Sequence, residues 1–131
     1  MNELNQIKTV VFPVAGIGSR FLPVTKTVPK ELLPILNIPL IEYAVNEAKE
    51  AGIERFIFVS SPEKKSITDY FKKDKKLESY LKNKNSDLLI GLEKNLISDD
   101  SLIEVVQEEP LGLGHAIWCA RDYIDGPFAV I

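Results

Sequence analysis

The chain has 131 residues, of which 45% are hydrophobic and 27% charged, and it carries a formal net charge of -3. That is enough sequence for one domain with a buried core, and the composition is that of an ordinary soluble globule and excludes a disordered segment. No apolar run approaches the ~20 residues needed to cross a bilayer, residues 1–8 lack the apolar stretch of a signal peptide, and the single cysteine, Cys119, leaves no internal disulfide. A cytoplasmic protein without membrane partners is expected.

In chain order, the first element is an apolar run rich in β-branched residues: Val10, Val11, Phe12 and Val14. It reads as a buried strand that delivers a glycine loop, Ala15-Gly16-Ile17-Gly18-Ser19-Arg20. Gly16 and Gly18 keep side chains away from the backbone there, so amide N–H groups can face anionic oxygens, with the Arg20 guanidinium beside them and Lys30 ten residues on. The dinucleotide fingerprint would need a glycine at position 21, which is Phe21, and the P-loop would need Gly-Lys-Ser/Thr, which is absent.

Prolines 23, 29, 34 and 39 then break any helix, so residues 20–39 are expected to run irregularly along the surface of a site. Leu40, Ile41, Ala44, Val45 and Ala48 follow helical spacing up to Gly52, a C-terminal cap, and residues 55–59 read as a second buried strand. Ser60 or Ser61 is expected to cap the next helix, with Pro62 in its first turn and Ile67, Tyr70 and Phe71 as its buried stripe. Leu77, Tyr80 and Leu81, then Leu88, Leu89, Leu92 and Leu96, predict two more helices interrupted over residues 83–86.

Charge is concentrated in this middle part. Residues 63–84 carry eight lysines and four acids, whereas residues 85–131 carry two basic and nine acidic groups. The lysine cluster has neither arginine nor interleaved aromatics to stack on bases, so it reads as a solvated helix face and no nucleic-acid partner is expected. Asp99-Asp100 reads as turn chemistry and not as a metal site.

Residues 102–107 form a third strand. Gly112 then opens a helix marked by Leu113, Ala116, Ile117, Ala120 and Ile124, a second strand-to-helix junction whose free N–H groups could meet a base or phosphate. Trp118 and Cys119 are expected to pack, and residues 128–131 read as a fourth strand. Strand, glycine loop, helix, strand opens a doubly wound α/β sheet, in which ligands bind at the carboxyl ends of the strands.

The string Gly16-x-Gly18-Ser19-Arg20, Leu22-Pro23 and Pro29-Lys30-Glu31-Leu32-Leu33-Pro34 resembles, residue for residue, the signature of the sugar-1-phosphate nucleotidylyltransferases. The resemblance implies a Rossmann-like nucleotidyltransferase domain, mostly parallel sheet flanked by helices. Residues 1–131 would be its N-terminal nucleotide-binding part, with a helical insertion at about 63–98. That insertion looks like the one in the branch acting with UTP on glucose 1-phosphate; thymidylyl- and cytidylyltransferases of the same fold, or a non-catalytic nucleotide-binding fragment, are the alternatives.

Roles follow from the resemblance. Arg20 and Lys30 would be catalytic, the first covering the triphosphate and the second neutralising charge at the α-phosphate. Ala15, Gly16, Gly18 and Ser19 would lie along the nucleotide, and Glu31, Gln107 and Gly112 would surround the base, Gln107 reading it through an amide that offers a donor and an acceptor at fixed separation. The attacking group in this chemistry is an ionised phosphate, so His115, the only histidine, is not assigned as a general base. Mg2+ is the implied cofactor, with its principal protein ligand expected beyond Ile131, no metal ligand within the chain and no activity for the 131 residues alone. A homo-oligomer is expected.

Overall fold

The computed structural model describes residues 6–131. Its central layer is a parallel sheet of β1 (Thr9–Pro13), β4 (Arg55–Ser60), β5 (Leu102–Val106) and β6 (Phe128–Val130), in the order β5-β4-β1-β6. Val11 stands opposite Ile57 on one side and Val130 on the other. The chain therefore steps outward from β1 to β4 to β5 and then returns to the far side of β1. That reversal creates a crevice at the carboxyl end of β1, the place where open α/β sheets bind ligands.

The apolar runs have no polar alternation because β1 and β4 are covered on both faces. Val10, Phe12, Phe56 and Phe58 point to one side, where they meet Ile41, Val45 and Ala48 of helix α1 (Leu40–Glu50), together with Ile67, Phe71 and Ile97. Val11, Ile57 and Val59 point to the other, against Ala116 and Ala120 at helix α5 (Leu113–Cys119). Phe58 stacks on Phe12 and Phe71 at centroid separations of 5.0 and 5.5 Å. Helix α1 ends as its sequence predicts, with Gly52 in the left-handed region at φ 88°.

Residues 20–39 form no α-helix, as expected from the prolines, yet they are more regular than expected. Three single turns of 3-10 helix (Ser19–Phe21, Val24–Lys26, Lys30–Leu32) lead into a small hairpin of β2 (Pro34–Ile35) and β3 (Ile38–Pro39). Prolines five or six residues apart permit one turn each and no more.

The next helix corrects the expected cap. Helix α2 (Lys65–Asp69) starts after Lys64 with no side-chain cap, and Ser61 and Pro62 belong instead to a turn closed by the Lys64 amide on the Ser61 carbonyl. Helices α3 (Lys75–Lys82) and α4 (Ser86–Glu93) follow, each capped by a side chain: Asp74 accepts from the Leu77 amide and Asn85 from the Leu88 amide. Of the leucines and aromatics that mark these two helices only Leu81 is buried; Leu77, Tyr80 and Leu88 stay exposed. Glu42 of α1 is buried and accepts a hydrogen bond from the Tyr70 hydroxyl, whose pKa is pushed up by burial and by that carboxylate. Among the described residues, no helix is long and apolar enough to cross a membrane.

Candidate functional site

Three strand ends converge on the crevice. The glycine loop leaves β1, and the Val14 amide still bonds to the Val59 carbonyl, so the loop departs at the level where β4 ends. Gln107 follows β5, its amide bonded to the Ser60 carbonyl at 2.8 Å. Two adjoining clefts of about 330 and 690 Å3 lie here and share Ala15, Ile17, Gln107 and Pro110. Gly16, Gly18 and Ser19 wall the smaller cleft on one side, and Gly112 and Leu113 wall it on the other.

Within the loop the two glycines differ in their reason. Gly18 sits at φ 69°, and a Cβ there would come within 3.1 Å of Thr25 Cγ2 and 3.3 Å of Lys30 Cβ, so backbone conformation and space both demand glycine. The Thr25 hydroxyl donates to the Gly18 carbonyl at 2.7 Å and secures the turn. A Cβ on Gly16 would meet only Lys30 Nζ, at 3.8 Å. Lys30 therefore lies across the glycine loop, its ammonium over Gly16 and its stem against Gly18. Arg20 follows in the exposed 3-10 turn after Gly18, and among the described residues neither Arg20 nor Lys30 is in an ion pair. Both cations are available to an anion.

Glu31 is held differently. Its carboxylate pairs with Lys64 Nζ at 3.3 Å, with both side chains almost buried, at 10% and 12% exposure. The same ammonium donates to the Val14 carbonyl at 3.1 Å and to the Gly16 carbonyl. Three acceptors use its three protons. Lys64 is the residue that sequence reasoning missed, absorbed into the lysine-rich face. The usable signal was its place just past the end of β4.

Gln107 is buried, 6% exposed. Its Nε2 donates to the Gly112 carbonyl at 3.2 Å and lies 2.9 Å from His115 Nδ1. Gly112 adopts φ 97°, a conformation that favours glycine, and opens α5, which places His115 in the first turn facing Gln107. Trp118 does not pack into the core as expected. Helix α5 buries Ala116, and Ala120 behind it, leaving Trp118 56% exposed with the Arg121 guanidinium 3.3 Å from its ring centroid.

The structure thus brings Ala15, Gly16, Gly18, Ser19, Gln107 and Gly112 to one crevice, with Lys30 lying against the glycine loop, Arg20 in the turn that follows it, and Glu31 tied to Lys64. No group of three or more His, Cys, Asp or Glu side chains able to hold a metal forms among the described residues.

A parallel sheet with reversed strand order, a glycine loop crossed by a lysine and a second glycine junction opposite define a class that sequence comparison also finds. The nucleotidyl transferase family profile matches residues 9–131, and the chain belongs to that family. Within it, the chain is 43% identical over 129 residues to the UTP–glucose-1-phosphate uridylyltransferase of Bacillus subtilis (strain 168), covering 98% of this chain and 44% of that protein. The UTP-bound UGPase of Acinetobacter baumannii superposes with a TM-score of 0.90 at 46% identity, over 95% of this chain and 45% of that one. A UDP-glucose pyrophosphorylase complexed with UDP-glucose superposes with a TM-score of 0.74 at 44% identity, over 95% and 44%. The chain spans a little under half the length of the curated relatives it matches.

Proposed function

We propose that these residues form the nucleotide-binding part of a uridylyltransferase that joins UTP to glucose 1-phosphate, giving UDP-glucose and pyrophosphate. The observation that carries this reading is the Gly16–Gly18 loop, with Lys30 laid across it, lining the same crevice as Gln107. The relatives' UTP and UDP-glucose complexes support it. In the reaction, an oxygen of glucose 1-phosphate attacks the α-phosphorus of UTP and the bond to the leaving pyrophosphate breaks. The nucleophile is already ionised, so the protein's task is placement and charge neutralisation.

Backbone amides of the glycine loop meet phosphate oxygens, Arg20 covers the β- and γ-phosphates that depart, and Lys30 meets charge growing at the α-phosphate. Ala15 brings backbone close to the nucleoside, and Gln107 and Gly112 meet the base. Glu31 acts from beneath the loop through Lys64. Magnesium is the cofactor that family membership suggests; the contribution of this chain to the phosphates rests on its own cations. The reading includes a cytoplasmic homo-oligomer acting on small-molecule substrates and not on nucleic acid.

The test is turnover of the protein expressed at the full length of its reading frame. Arg20→Ala and Lys30→Ala should each lower kcat by about 10²-fold or more, as expected for removing a charged group that contacts the transition state, with an unchanged unfolding midpoint. Turnover within about threefold of the parent in both variants would overturn the assignment.

A further inference from the structure

We infer that His115 is a positioning residue that sets the orientation of the Gln107 amide and thereby the preference for uridine over cytidine nucleotides. This rests on the reading of Gln107 as the base contact. A carboxamide has two faces to offer: an oxygen that only accepts and an NH2 that only donates. Uracil presents a donor at N3, flanked by carbonyl oxygens; cytosine presents an acceptor at N3 beside a donor amine. One orientation of the amide suits the first base at N3 and the reverse suits the second. Something in the protein must choose.

The choice is made by two neighbours of Nε2. The Gly112 carbonyl can only accept, and it lies 3.2 Å away. His115 Nδ1 lies 2.9 Å away and accepts the second N–H when the imidazole carries its proton on Nε2. Both hydrogens of the NH2 group are then used inside the protein, so Oε1 is the atom left to face a ligand. Gln107 lines both clefts, which puts the residue at the crevice where a base would lie. An acceptor in that place meets uracil N3–H and opposes cytosine N3. His115 is itself fixed by its place in the first turn of α5 and by stacking on Trp118 at 6.1 Å between ring centroids. Removing the Nδ1 acceptor leaves one amide hydrogen without a partner at a buried site, and rotation of the amide, or loss of its order, follows.

The experiment measures the ratio of kcat/KM for UTP to that for CTP in the full-length protein. His115→Phe keeps a ring against Trp118 and removes the acceptor, and should reduce the ratio by about tenfold or more. His115→Asn can present its side-chain oxygen near the position of Nδ1 and should restore most of the preference, which a purely structural role would not produce. Gln107→Ala is the control. If it lowers the ratio while His115→Phe leaves it within twofold of the parent, the inference fails and the reading of Gln107 survives. If Gln107→Ala leaves the ratio unchanged, the reading of Gln107 fails first and the inference with it. Loss of the preference in His115→Phe with no recovery in His115→Asn also overturns the role assigned to Nδ1.

Discussion

The most consequential single residue outside the expected set is Lys64. An ammonium whose three protons meet two loop carbonyls and a carboxylate, at 12% side-chain exposure, cannot be replaced by an apolar chain without leaving Glu31 charged and unpaired. Lys64→Met should destabilise the protein by about 3 kcal/mol or more, the range for breaking one partner of a buried pair. Adding Glu31→Gln should recover part of that loss, because it removes the orphaned charge. Urea midpoints of the two variants provide the check; a loss below about 0.5 kcal/mol in Lys64→Met would mean the pair does not hold the loop. Lys64 was illegible in sequence because its partners lie far back along the chain, at Val14, Gly16 and Glu31, whereas reading a sequence sees neighbours a few positions away. Gln107 and Gly112 were legible because a strand end and a glycine-led helix start announce themselves locally. The orientation of the Gln107 amide was not, since it depends on His115 arriving from the helix beyond the turn.

At the level of elements, the two central strands could be read directly, as Val10–Phe12 and Phe56–Val59 are apolar on consecutive positions and both faces are in fact covered. The start of α2 could not. Ser61-Pro62 suits a helix start as well as a turn, and the turn prevailed because it lets Lys64 reach back beneath the glycine loop. Helix α5 stops at Cys119 and not near Ile124, and a 3-10 turn over Arg121–Tyr123 carries the rest. Packing of α1 and α2 on the sheet depends on the aromatic column Phe12, Phe58 and Phe71, all with 1% exposure or less. Phe58→Ala removes the middle ring and should cost about 3–5 kcal/mol, measured by equilibrium unfolding. A loss under about 1.5 kcal/mol would show that the column closes over the gap. A smaller tie links the insertion to the sheet edge: Lys72 bonds to Glu104 of β5. That bond raises the Lys72 pKa; burial pushes the Glu104 carboxyl up, but hydrogen bonds from Lys72 and Thr68 outweigh it and hold the carboxyl below its ordinary value.

Taken as a whole, the molecule is graded from a doubly flanked centre to thinly held margins. Strand β4 is paired on both sides from Phe56 to Val59, whereas among the described residues β6 is joined on one side only, from Thr9 opposite Phe128 to Val11 opposite Val130. Hydrogen exchange on the 131-residue chain should therefore show β4 amides protected at least tenfold more than those of β6. Equal protection in the two strands would contradict that gradient. The same pairing sets an order in time. Of the strands described here, β1 leaves the ribosome first and its partner β6 only after β4 and β5, so the central apolar strand keeps a bare flank until β6 emerges. Distant pairing of this kind slows assembly and exposes sticky surface while it waits. The nascent chain should thus lean on chaperones most heavily in the interval between the emergence of β1 and the arrival of β6.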